Sequence, residues 1–216
     1  MILYGRNAVA EAERGRRRVL RVWTEDDVAP AELERLCGSR DHQGIVAEVE
    51  PYPYVDARTL LRAGDALVVA LDQVQDPQNM GAICRSAEGA GATGVVIPQR
   101  GAAHVTPAVC RASAGAVEHL AIARVRNLAD FLTEAKRDGA WIYGAEAGAA
   151  VRYWEPDYSG PVVVVLGSEG RGLRPRVRSV CDALVGMPLA GRLESLNVGA
   201  TAAVLLYEIV RQRTTS

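Results

Sequence analysis

Beyond residue 65 the apolar positions fall into short, nearly unbroken runs: Ala66–Leu71, Gly94–Pro98, His119–Ala123, Ala140–Ala145, Pro161–Leu166 and Ala183–Met187. Runs of this length, bounded by turn-forming residues, predict strands buried on both faces. Between them, apolar residues recur at helical spacing over Met80–Gly89, Thr106–Gly115, Leu128–Asp138, Pro175–Val180 and Leu196–Arg213. This alternation predicts an α/β fold, a parallel sheet with helices on both faces. Ligands of such sheets sit beyond the carboxyl ends of the strands. The loops after Leu71, Ala145, Leu166 and Met187 are therefore the candidate sites.

The first 50 residues read differently. Asn7–Arg14 and Ala31–Cys37 have helical patterns, and Val19–Thr24 and Ile45–Val49 have strand patterns. A piece this small needs support from the rest of the protein or from a partner subunit. Residues 51–65, with two early prolines and a closing Gly64-Asp65, read as a linker. The expected organisation is a small α/β module at 1–50, a linker at 51–65 and a main domain at 66–216.

Composition narrows the class. The chain is 49% hydrophobic and 24% charged, with a formal net charge of −1, which excludes a disordered chain. No apolar run approaches the roughly 18 residues of a membrane span, and the N-terminal segment carries no secretory signal pattern. A cytoplasmic protein without membrane contact is expected. The neutral total conceals a bias, because 24 of the 25 basic residues are Arg and one, Lys136, is Lys. A GC-rich genome produces that bias without functional cause. Two acid-free clusters point elsewhere: Arg14, Arg16, Arg17, Arg18 and Arg21, then Arg171, Arg174, Arg176 and Arg178. The guanidinium fork matches phosphate, so these clusters are candidate RNA contacts as well as candidate solvated faces. Four scattered cysteines and three isolated histidines lack metal-ligand spacing, so no metal is expected.

Gly89-Ala-Gly91-Ala-Thr-Gly94 matches a dinucleotide fingerprint in spelling only. A helix precedes it and a strand follows, the reverse of the order that motif needs. Three other loops carry more. Leu71-Asp-Gln-Val-Gln-Asp-Pro-Gln-Asn79 leaves a strand and enters a helix, with Asn79 either capping that helix or serving a site. Arg85 lies two turns along, among small and apolar neighbours. Leu166-Gly-Ser-Glu-Gly-Arg-Gly-Leu173 places three glycines where backbone groups can face a ligand, and it lacks the Lys-Ser/Thr ending of a phosphate loop. Met187-Pro-Leu-Ala-Gly191 leads through Ser195-Leu-Asn-Val198 into the last helix, which Ser195 or Asn197 can cap. None of the three loops supplies a histidine base.

Residues 67–216 resemble the SpoU (TrmH-like) family of the SPOUT class of RNA ribose 2′-O-methyltransferases. Asp76-Pro-Gln-Asn-Met-Gly-Ala-Ile-Cys-Arg85, Leu166–Leu173 and the segment from Met187 to Val198 look like its three motifs, in order. One position departs: Gly199 stands where a serine is usual. Leu3-Tyr-Gly-Arg-Asn-Ala-Val9 and His42-Gln-Gly-Ile-Val-Ala47 resemble the RNA-binding module of large-subunit rRNA guanosine methyltransferases. The resemblance implies a C-terminal trefoil knot and S-adenosylmethionine held at Ala145, Gly167, Ser168, Gly170, Met187, Leu189 and Leu196. It also implies a homodimer whose sites are completed across the interface.

By the same resemblance the catalytic set is Arg85, Asn79, Glu169, Ser195 and Asn197, and the RNA contacts include Arg16, Arg17, Arg18, His42, Arg171 and Arg174. The implied reaction moves a methyl group to a ribose 2′-hydroxyl, most simply of a guanosine in 23S rRNA. A tRNA substrate, or a non-catalytic knotted RNA-binding or ribosome-assembly factor, is the alternative. Arg stays protonated in nearly every site, so Arg85 is better suited to bind phosphate or ribose and steady alkoxide charge than to act as a base.

Overall fold

The computed structural model describes residues 1–215. Seven strands form one parallel sheet: β4 (Leu67–Asp72), β5 (Gly94–Pro98), β6 (Ile122–Val125), β7 (Trp141–Ala145), β8 (Val151–Arg152), β9 (Val162–Gly167) and β10 (Ala183–Gly186), in the order β6-β5-β4-β9-β7-β10-β8. β4 and β9 lie side by side in full register from Leu67↔Val162 to Asp72↔Gly167. Their side chains divide by period two. Leu67, Val69, Leu71, Val162, Val164 and Leu166 enter one core, while Val68, Ala70, Val163 and Val165 enter the other. Two covered faces explain why the runs are continuous rather than alternating.

Helices α3 (Pro77–Gly89), α4 (Pro107–Ala112) and α7 (Val198–Thr215) cover the first face, and α5 (Leu128–Arg137) and α6 (Pro175–Val180) cover the second. The glycine decoy ends α3 and opens β5, as its context predicts. Thr106 caps α4, but the helix stops at Ala112 and the expected run to Gly115 is broken. Ala114 (φ +52°) and Gly115 (φ +87°) turn the chain into a 3-10 turn at Ala116–Glu118. The turn sets Gly115 against α1, where a Cβ would stand 2.5 Å from the Glu11 Cβ. β6 consequently begins at Ile122, and His119 bonds Glu11 rather than joining a strand.

The first 50 residues form a separate antiparallel sheet, β1-β3-β2, from β1 (Ile2–Tyr4), β2 (Val19–Thr24) and β3 (Ile45–Val49), with α1 (Arg6–Arg14) and α2 (Pro30–Cys37). This module is docked, not tethered. Arg17, expected on an RNA-facing surface, is instead buried. Its Nη2 and Nε donate to Glu118 at 2.5 and 2.8 Å, and both side chains are 1% exposed. The run of arginines hid this role because Glu118 lies 101 residues away. Residues 51–65 are packed as well. The Tyr52 hydroxyl donates to the carbonyls of Val117 and Leu120, and Val55 bridges to Ala123 beside β6.

Candidate functional site

At the carboxyl ends of β7, β9 and β10 lies a cleft of about 610 Å³. All seven residues expected to hold the cofactor line it: Ala145, Gly167, Ser168, Gly170, Met187, Leu189 and Leu196. Leu166 and Val185 add apolar floor, and Glu146, Glu169 and Glu194 bring carboxylates to its walls. The glycine loop is a small hairpin closed by reciprocal Ser168–Gly172 backbone bonds of 3.2 and 2.9 Å. A Cβ on Gly167 would fall 2.3 Å from the Gly172 carbonyl carbon, so this crossing admits no side chain. Gly170 (φ +76°) and Gly172 (φ +63°) take the left-handed turn that glycine favours.

The three sequence motifs meet at Asn197. Its Nδ2 donates to Asn79 Oδ1 and to Glu169 Oε1, each at 2.8 Å. Its Oδ1 accepts the N–H groups of Gly199 and Ala200, capping α7. Asn197 is therefore both a cap and the hub of the site. Asn79 is not a cap. Asp76 fills that place, accepting from the N–H groups of Gln78 and Asn79, and Pro77 starts the helix earlier than the apolar pattern suggests. Freed from capping, the 7%-exposed Asn79 side chain faces Asn197. Gly199 also has a local reason, because a Cβ there would stand 3.0 Å from the Ala82 Cβ and 3.1 Å from Asn197 Oδ1.

Ser195 lines the cleft with Asn197 and Glu169. Arg85 does not. It is exposed on the outward side of α3, away from Met80, Ile83, Cys84 and Ala87, and has no hydrogen-bond partner among the described residues. The structure thus gathers Asn79, Glu169, Ser195 and Asn197 and leaves Arg85 outside.

The basic clusters are sorted too. Arg16, Arg18 and Arg171 are exposed. Arg174, Arg176 and Arg178 each hold a carboxylate: Asp72, Asp130 and Glu146. The Arg178 hydrogen bonds hold the Glu146 carboxyl below its ordinary range. His42 is buried, and its Nδ1 accepts from the Gly44 N–H to close the turn before β3. Sequence reasoning missed Asp72, which is fully buried at the end of β4 and accepts from Arg174 N and Nε, both at 2.7 Å. The one available signal was an acid ending an otherwise apolar strand. Among the described residues no cluster suited to a metal occurs, and no helix is long and apolar enough to cross a membrane.

Comparison with known proteins agrees with this geometry. A family model described as SpoU rRNA Methylase family matches residues 66–207, and one described as RNA 2′-O ribose methyltransferase substrate binding matches residues 26–55. A relative from Synechocystis sp., named "Uncharacterized tRNA/rRNA methyltransferase slr0955", is 38% identical over 98% of this chain, which spans 62% of that protein's length. The SpoU methyltransferase AviRb from Streptomyces viridochromogenes, in complex with AdoMet, superposes with a TM-score of 0.86 at 26% identity, over 100% of this chain and 91% of that one. An AdoMet-bound rRNA methyltransferase from Sinorhizobium meliloti gives 0.82 at 27% identity, over 97% and 86% of the two chains. With the family pattern covering most of its length, the three motifs joined at one asparagine and the cleft built where they meet, this chain belongs to the SpoU rRNA methylase family.

Proposed function

We propose that the protein transfers a methyl group from S-adenosylmethionine to a ribose 2′-hydroxyl of RNA, with a guanosine of large-subunit rRNA as the target. The observation that carries this reading is the Asn79–Asn197–Glu169 junction at the mouth of a glycine-walled cleft. The cleft suits the cofactor chemically. Leu166, Val185, Met187, Leu189 and Leu196 offer apolar surface to an adenine ring, glycine backbone leaves polar groups accessible, and Glu146, Glu169 and Glu194 favour a cationic sulfonium and ammonium. When bound, the cofactor supplies the electrophilic methyl group. The chain supplies alignment, which counts heavily when the nucleophile is a neutral hydroxyl. Ser195 and Asn197 stand where the cleft opens, suited to orienting a ribose.

Arg85, protonated, fits a role in binding the target phosphate or ribose and steadying developing negative charge. Its exposure outside its own chain's cleft supports a homodimer in which a second copy brings the two together. α7 carries exposed Val204 (37%) and Tyr207 (53%), suited to such an interface, and Tyr207 lies over Gly89 of α3. The proposed fold detail is a trefoil thread of the C-terminal segments, supported by β9 lying between β4 and β7 with β10 outside them. The substrate-binding match at residues 26–55 supports RNA as the substrate, with exposed Arg16, Arg18 and Arg171 as phosphate contacts.

A tritiated-methyl transfer assay on total RNA tests the activity. Label retained in alkali-resistant dinucleotides is expected, because a 2′-O-methyl group blocks cleavage of the adjoining phosphodiester, and a chain that binds RNA without incorporation would overturn the enzyme reading. Mapping 2′-O-methyl sites in a deletion strain and its parent then separates rRNA from tRNA.

A further inference from the structure

The fully buried carboxylate of Asp72 does not line the cleft. It stands beside Gly167 at the end of the β4–β9 pair, where the glycine loop begins. The loop runs through its hairpin and returns at Arg174, whose backbone N–H and Nε both donate to Asp72 at 2.7 Å. Two glycines in left-handed conformation and a crossing too tight for any Cβ leave this loop little internal bonding beyond the Ser168–Gly172 pair. Its outer part is held by Glu169 on Asn197, and its base by Arg174 on Asp72.

We infer that Asp72 is a positioning residue: through Arg174 it holds the 167–173 loop in the shape that accepts the cofactor and places Glu169 on Asn197. Arg174 is thereby assigned chiefly to the fold of the cleft and not to RNA. Flexible glycine loops lose entropy on ordering, and an anchor fixed in a rigid strand removes that loss from the binding step. The inference rests on the proposed cofactor, but one of its tests does not.

The experiment compares the full chain with R174A, R174K, D72N and the D72N/R174A double variant. In R174A the Asp72 carboxylate keeps the backbone N–H and loses its charged partner inside the protein, an unfavourable state for a buried charge. Without any ligand, amide exchange of residues 168–172 should speed up at least tenfold in R174A, with α5 amides unchanged. AdoMet affinity by calorimetry should fall at least tenfold, while KM for RNA moves less than threefold. R174K, which keeps charge and backbone N–H, should lie between, and the double variant should recover part of the loop protection of R174A. Unchanged loop exchange in R174A would overturn the assignment. So would intact AdoMet affinity with weakened RNA binding, which would make Arg174 an RNA contact. If the wild-type protein binds no AdoMet, the proposed activity falls, and the exchange comparison still decides the role of Asp72.

Discussion

Replacing Arg17 by Met removes the charge while keeping most of the side chain's apolar length. Glu118 then loses both guanidinium bonds, of 2.5 and 2.8 Å, in a place where its side chain is 1% exposed. Breaking a buried pair from one side typically costs about 3–5 kcal/mol, because the remaining charge has neither water nor partner. Against a total folding stability of about 5–15 kcal/mol, that is at least about a fifth of the reserve. The loss should not be spread evenly. Arg17 also donates to the Glu50 carbonyl and to Cys110 Sγ, so it ties the end of the N-terminal module to α4 and to the turn that carries Glu118. Urea unfolding followed by tryptophan fluorescence is the assay, since Trp23 reports the module and Trp141 and Trp154 report the main domain. R17M should lower the unfolding free energy by about 3–5 kcal/mol or split off an early transition seen at Trp23. Replacing both partners with apolar residues, as R17M/E118L, should restore most of the loss, because no charge is then stranded. A cost below about 1 kcal/mol, the value of an exposed pair, would refute the docking energetics.

Four further outcomes follow from the geometry. N197D keeps the Oδ acceptor that caps α7 but loses the Nδ2 donors to Asn79 and Glu169, so Tm should fall little while methyl transfer is abolished; N197A should also lose about 1 kcal/mol of cap stability. R85A should abolish transfer and leave AdoMet affinity nearly intact, since Arg85 lies outside the cleft, and retained turnover would remove it from the reaction. At pH 8 a thiol reagent should modify Cys37 quickly and Cys84 and Cys110 only on unfolding, because burial pushes both buried thiols up to about 12 and Cys181 to about 11. Glu146 has a depressed carboxyl, so its bond to Arg178 contributes above the ordinary pKa of 4.5 and is lost as pH falls through the lower folded value; R178Q should raise the pH at which AdoMet affinity declines in acid.

How far the sequence is readable depends on the range of the interaction. β4 and β9 announce themselves because a strand covered on both faces must be apolar throughout. The cleft is legible because the glycine loop and the Ser195–Val198 segment are local patterns set at strand ends, and all seven expected lining residues fall there. The two-residue strand β8 has no periodicity to detect, and β1 is only three residues long. Asn79 and Asp76 compete for one cap, and propensity alone cannot choose between them. Arg17–Glu118 and Asp72–Arg174 span 101 and 102 residues, and nothing in the local spelling of Arg16-Arg17-Arg18 marks the middle one as the residue that turns inward. Arg85 is a different case, since its surroundings of Ala82, Ile83 and Cys84 suggest burial while helical rotation carries it outward.

The bond from Asn197 to Asn79 crosses 118 residues of chain. During synthesis α3 and the glycine loop emerge first, and their amide and carboxylate wait for a donor the ribosome has yet to make. The same asparagine supplies the first capping bonds of α7, so the closing of the last helix and the assembly of the site are one event. A nascent chain that stops short of residue 197 can pair β4 with β5, but it holds no finished cleft. The connectivity thus leaves the site incomplete until the chain has been made through Ala200.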